Sequence, residues 1–193
     1  MRHRYFDVAF TPAVKAEQER HGSRAAYAAA AAGEGGPDAL TERERTFISA
    51  SDTFFLASVS GTGWPYVQHR GGPPGFVRTL DEGTIGWAEF AGNRQYVSAG
   101  NTDIEDRVAL IFVDFAHRMR LKLLGHLRSF EVPERPDLAL RLALDGYPAR
   151  IERFAVVTVE GLDWNCPQHI TPQFTAREFA SSAHGGPDAT VGL

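Results

Sequence analysis

Apolar and polar positions change rhythm along this chain, and the changes divide it into three zones. Residues 1–50 carry a helical pattern. Thr11 followed by Pro12 predicts an N-cap and first helical residue, since threonine can accept an unpaired amide and proline has none to pair. The run from Ala13 to Ala32 is rich in helix formers, with Gly22 as a break or C-cap. GEGGP over 33–37 reads as a loop. Thr41 and Glu44 make a T-x-x-E capping box that opens a short helix through Ala50.

From residue 52 to about 132 the pattern becomes that of strands. TFFLASVS, the turn GTG and WPYVQHR predict a hairpin, which GGPPG interrupts. FVRTL runs to the turn Asp81-Glu82-Gly83, and TIGWAEF follows as a strand. Gly92-Asn93-Arg94 opens a polar helical stretch to Gly100. RVALIFVDF reads as a central strand. In RMRLKLL a period of two puts Met119, Leu121 and Leu123 on one face and Arg120 and Lys122 on the other. The last zone is mixed: a helix in PDLALRLAL, a strand in FAVVTVEGL, an irregular DWNCPQHITPQF, a short helix over Ala176 to Ala183 and a frayed tail. Short strands joined by tight turns, with few helices, predict a mainly β protein: a small antiparallel barrel with flanking helices. The missing strand–helix alternation argues against a doubly wound sheet. One structural domain is expected, with residues 1–50 as a helical extension packed on a barrel over 51–193.

Composition narrows the function classes. The 193 residues are 43% hydrophobic and 23% charged, enough for a core without staples. A net charge of −4 lacks the basic footprint of a nucleic-acid binder. The single cysteine, Cys166, excludes an intramolecular disulfide and any multi-cysteine zinc site, and makes a reduced cytoplasm the expected compartment. No apolar run spans a bilayer, and no signal peptide is read. Dinucleotide, P-loop, nucleophile-elbow and zinc-helix patterns are all absent. The seven histidines are scattered, and no metal site is expected.

Two segments carry candidate chemistry. In TIGWAEFAGNRQYVSAGN a strand ends at Gly92 and enters a turn-helix with Asn93, Arg94 and Gln95, a pattern that offers amides and a guanidinium to an anion. The same spacing also fits a plain turn with a solvated arginine. In YVQHRGGPPG, Gln68, His69 and Arg70 end a strand before two glycines that admit a close neighbour; a bulged strand with an exposed polar end reads equally well. Arg120 and Lys122 are ligands if their face meets a partner or an anion, and solvated otherwise. Asn165-Cys166-Pro167-Gln168-His169 fits packing or ligand lining better than covalent cysteine catalysis, because no activating partner set is defined.

Taken in order, GTGWPYVQHRGG, TLDEGTIGWAEF, GNRQYVSAGN, RVALIF and RLKLLGHLR resemble the pyridoxamine 5′-phosphate oxidase-like family of FMN-binding split barrels, from Ser51 to about Phe130. The resemblance implies an FMN phosphate held by Gln68, with His69 and Arg70 beside it, and by the group Gly92, Asn93, Arg94 and Gln95. It implies a homodimer, with Arg120 and Lys122 approaching the flavin across the interface. The authentic oxidase has a basic residue at the strand position and an Arg-Lys pair in the helix; this chain has Gln68 and Arg94-Gln95. Its C-terminal arginine-bearing segment has no counterpart, and NCPQHITPQF would cover the flavin with Asn165, Pro167, Gln168 and His169. The expected function is an FMN-dependent oxidoreductase acting on a small molecule other than vitamin B6. Alternatives are a non-catalytic flavin carrier or sensor, or the same barrel binding haem or a deazaflavin.

Overall fold

The computed structural model describes residues 3–31, 35–164, 167–176 and 179. Three short helices come first: α1 (Arg4–Ala9), α2 (Pro12–Arg20) and α3 (Arg24–Ala30). The Thr11 side chain accepts from the Val14 amide with Pro12 at the first turn, and Gly22 breaks the run at φ 73°. Helix α4 (Glu42–Ala50) starts at the Thr41–Glu44 capping box. The fold is then built on seven strands: β1 (Thr53–Val59), β2 (Pro65–Gly71), β3 (Val77–Asp81), β4 (Thr84–Phe90), β5 (Arg107–Asp114), β6 (Met119–Glu131) and β7 (Ile151–Trp164). Helix α5 (Val97–Ile104) lies between β4 and β5, and α6 (Pro136–Leu142) between β6 and β7.

The strands form one antiparallel sheet in the order β2-β1-β5-β6-β7-β4-β3. The sheet curls onto itself. Phe54 of β1 meets Phe112 of the adjacent β5 at 4.9 Å between ring centroids, and also Trp87 of distant β4 at 5.0 Å. Only closure brings the second and sixth strands of the order together. All three side chains are fully buried at the centre of the core, where deleting a ring of this size costs about 3–5 kcal/mol. At Gly125, where the β6–β7 register shifts, an added Cβ would lie 2.4 Å from the Thr158 carbonyl oxygen, so a side chain has no room.

A buried carboxylate helps tie the helical segment to the barrel, beside an Arg4–Glu160 ion pair at 2.6 Å. Asp38 accepts the Arg4 and Tyr5 amides, at 2.9 and 3.1 Å, and the Leu162 amide of β7 at 2.9 Å. Glu44 does similar work for α4: it accepts from the Thr41 amide (2.9 Å) and from Trp164 Nε1 (2.6 Å).

Most elements match the sequence pattern, including the alternation that buries Leu121, Leu123 and Leu127 and leaves Arg120 and Lys122 half-buried. One start differs. The helix expected to open at Gly92 begins at Val97 and passes Gly100 to end at Ile104. Arg94 and Tyr96 take left-handed backbone angles, φ 58° and 53°, which a right-handed helix cannot contain. The short helix expected over 176–183 falls almost wholly outside the described residues. Among the described residues, no helix is long and apolar enough to cross a membrane.

Candidate functional site

The inward rows that build the core end in charge at one mouth of the barrel. On β4 the row is Ile85, Trp87, Glu89; on β7 it is Val157, Ala155, Arg153, with Glu89 directly opposite Arg153. On β2, Gln68 and Arg70 share the face of Leu56 and Phe54 across the β1 pairing. These rows enclose a cleft of about 340 Å³ bordered by the turn 92–96 and the start of α5. Across it, Arg70 Nη2 lies 2.9 Å from Glu89 Oε1, and Arg153 Nη2 lies 3.2 Å from Glu89 Oε2. A side-chain bridge thus spans the seam between β2 and β4, strands not paired by backbone hydrogen bonds.

The turn is built from local chemistry. Asn93 Oδ1 accepts the Gln95 amide at 3.2 Å, an Asx turn that sets up the two left-handed residues. Arg94 Nε donates to the Tyr96 hydroxyl at 3.4 Å, and that hydroxyl donates to Glu152 Oε2 at 3.3 Å. The hydrogen bond to Tyr96, with the nearby Glu152 carboxylate, holds the exposed Arg94 guanidinium above its ordinary pKa. Arg153 stacks over the Tyr96 ring at 4.9 Å, and Arg150 pairs with Glu152 at 2.8 Å. Behind the turn, Ser98 Oγ donates to Gln68 Oε1 at 3.0 Å, leaving the Gln68 amide N–H groups as donors at the cleft wall. Asn101 donates to Ser58 at 3.0 Å and docks α5 on β1.

A sequence model of pyridoxamine 5′-phosphate oxidase matches residues 40–161, which hold every strand of the barrel except the last three residues of β7. The chain belongs to the pyridoxamine 5′-phosphate oxidase family. Two solved neighbours in that fold are remote. HupZ of Group A Streptococcus is 14% identical, with a TM-score of 0.50 over 70% of this chain and 99% of its own. A Lactobacillus delbrueckii protein, provisionally named a pyridoxamine 5′-phosphate oxidase, is 17% identical, with a TM-score of 0.50 over 65% of this chain and 94% of its own. Such likeness speaks for a common split-barrel fold. No curated protein matches the sequence significantly.

Within this family fold, Gln68, His69, Arg70, Gly92, Asn93 and Arg94 all border the one cleft. Gln95 stands in the same turn with its amide on Asn93. His69 is on the opposite face of β2 from Gln68 and Arg70: its ring packs on Phe55 at 5.7 Å and bonds the Thr53 hydroxyl. Arg120 and His169 do not reach this cleft. Both line a second cavity of about 300 Å³ on the outward face of β5 and β6, with Ile111, Val113, Phe115 and Ile170. Lys122 shares that face of β6, opposite Ile111 and Asp163. Burial raises the Asp163 carboxyl pKa, and Lys122 opposes that rise. The Pro167 carbonyl accepts from Arg118 at 3.5 Å, and Gln168 is exposed and lines neither cavity. Asn165 and Cys166 lie outside the described residues.

Sequence reasoning missed Glu89, Tyr96, Ser98, Glu152 and Arg153 as cleft residues. Two of them had a signal. Glu89 is in phase with Ile85 and Trp87, and Arg153 with Ala155 and Val157, so each is a charge on a core-facing row.

Proposed function

We propose that the protein is an FMN-binding flavoprotein that transfers electrons to or from a small molecule. Membership of the pyridoxamine 5′-phosphate oxidase family supports a flavin in this cleft. The observation that carries the reading is the convergence of Gln68, Asn93 and the exposed Arg94 at one cleft mouth, with Arg70 on the inner wall. The donor set fits a phosphate ester. Arg94 and the Gln68 amide N–H groups supply it charge and hydrogen bonds at the outer turn. Bound FMN supplies the two-electron chemistry, which the protein's groups position and tune.

The reading includes a homodimer. Phe55 and Val67 are 37% and 62% exposed on the outward face of the β2-β1-β5 layer, and apolar surface of this kind suits a second copy. The Arg120–His169 cavity lies on the same outward side, where it would approach a flavin held by the partner. Arg120 would then place a cation near the ring, and His169 a second polar group.

The test is a visible spectrum of the purified protein before and after incubation with FMN and desalting, with a sizing column alongside. Retained flavin bands in a dimer, lost in Arg94→Ala, are the expected result. Failure to hold FMN, or tighter binding of a deazaflavin or haem in competition, overturns it. One observation favours a second reading, a non-catalytic flavin carrier: Glu89 and Glu152, the carboxylates lining the cleft, are both ion-paired with arginines. Turnover of reduced flavin with an acceptor faster than free flavin excludes the carrier.

A further inference from the structure

The inner wall of the cleft holds more positive charge than its structural task needs. One arginine is enough to bridge the seam, and Arg70 with Glu89 does so. Arg153 adds a second guanidinium to the same carboxylate. The three side chains are only 12–20% exposed, so the surplus charge is held largely away from water, where it is costly. Both Arg70 Nε and Arg153 Nε are buried without an acceptor among the described residues. Arg153 is further fixed by the Tyr96 ring beneath it. The site is therefore two oriented cations on one internal anion, both lining the cleft, with one positive charge that Glu89 does not neutralise.

We propose that Arg70 and Arg153, set by Glu89, form an anion subsite that receives the carboxylate of a small organic acid, the molecule that meets the cofactor. This rests on the FMN reading of the same cleft. The two anions are separated by chemistry. A doubly charged phosphate suits the outer turn, where Arg94 is exposed to solvent. A singly charged carboxylate suits the inner wall, where it neutralises the surplus charge, and where Glu89 would repel a second negative charge. Glu89 is a positioning residue here: it orients both guanidinia and limits the charge admitted.

The experiment titrates benzoate and its neutral counterpart benzamide into the FMN-loaded protein, following the flavin absorption band. The same titrations are made on the FMN-free protein by calorimetry. Benzoate should bind and benzamide should not. Arg153→Gln should weaken benzoate by about tenfold or more while FMN stays bound. Arg153→Lys keeps a cation beside Glu89 and so preserves the fold, but it loses the planar fork and should weaken benzoate less. Glu89→Gln should tighten benzoate, since a repelling charge is gone. Equal binding of benzamide, or no benzoate binding in either state, overturns the subsite. So does a parallel loss of FMN and benzoate in the Arg153 variants, which would make the pair part of the phosphate site. Arg153-dependent benzoate binding by a protein that never retains FMN would uphold the subsite while the cofactor reading fails.

Discussion

Helices α4 and α5 begin in opposite ways. The start of α4 is closed by its own sequence: Thr41 and Glu44 form a reciprocal box, and Trp164 Nε1 donates to the same carboxylate. Burial pushes the Glu44 pKa up, but the hydrogen bonds from Thr41 and Trp164 outweigh it and hold it below the ordinary carboxylate value. The start of α5 has no side-chain cap. Its N-cap is Tyr96 in a left-handed conformation, preceded by a left-handed Arg94, and such residues cost about 1 kcal/mol each. The first end borders the core and satisfies itself. The second borders the cleft, carries strain and leaves its arginine to solvent. A helix start that a fold needs and one that a ligand needs are thus distinguishable by who satisfies them.

The sharpest way to break this contrast is at α4. Glu44→Ala should lower unfolding stability by about 2 kcal/mol in urea, since it strands a half-buried indole N–H and opens the capping box, and should leave FMN retention intact. Arg94→Ala should do the reverse: stability within about 0.5 kcal/mol of the parent, with FMN affinity down by about tenfold, or 1.4 kcal/mol. A large stability loss in Arg94→Ala would show that the α5 turn serves the fold after all. Thr41→Ala should cost about 1 kcal/mol by thermal melt, the usual value of a lost cap. Tyr96→Gly should change stability by less than about 1 kcal/mol, because relief of the left-handed strain offsets the lost stacking on Arg153. Its FMN dissociation rate, measured after dilution, should rise. The last difference is in acid. Glu44 has a lowered pKa in the fold, so its contribution is full above about pH 4.3, the unfolded value, and is lost as pH falls through the folded one. An acid titration of Glu44→Gln should therefore show a shallower loss of stability below that pH.

Much of the barrel is legible in the sequence because its strands are short and punctuated. GTG and Asp81-Glu82-Gly83 mark the hairpin ends, and the RMRLKLL alternation assigns the inner and outer faces of β6. Gln68, Arg70, Asn93 and Arg94 are legible too, since each stands beside a strand end or glycine turn. Glu89 and Arg153 are not, although both are in phase with apolar rows. A charge at the end of such a row reads as solvated until the β4–β7 register places the two opposite each other and curling of the sheet brings Arg70 across. The late start of α5 is hidden for a related reason. Nothing in the residue type of Tyr96 signals a left-handed angle; Arg153 beneath its ring and Glu152 on its hydroxyl hold it there.

Asp38 bears on how the chain can be shortened. It lies outside the matched segment 40–161, as does Leu162, whose amide it accepts, and Trp164, which closes on Glu44. A fragment trimmed to the family boundaries would expose the Leu162 end of β7 and lose the lock on α4. A fragment that began after α1 but kept Asp38 would fare little better, since the carboxylate would lose two of its three amide donors. The stretch from α1 through Trp164 is the shortest that keeps Asp38 and Glu44 with their amide and indole donors, and a tag or cleavage site placed inside it would unpair one of these two carboxylates.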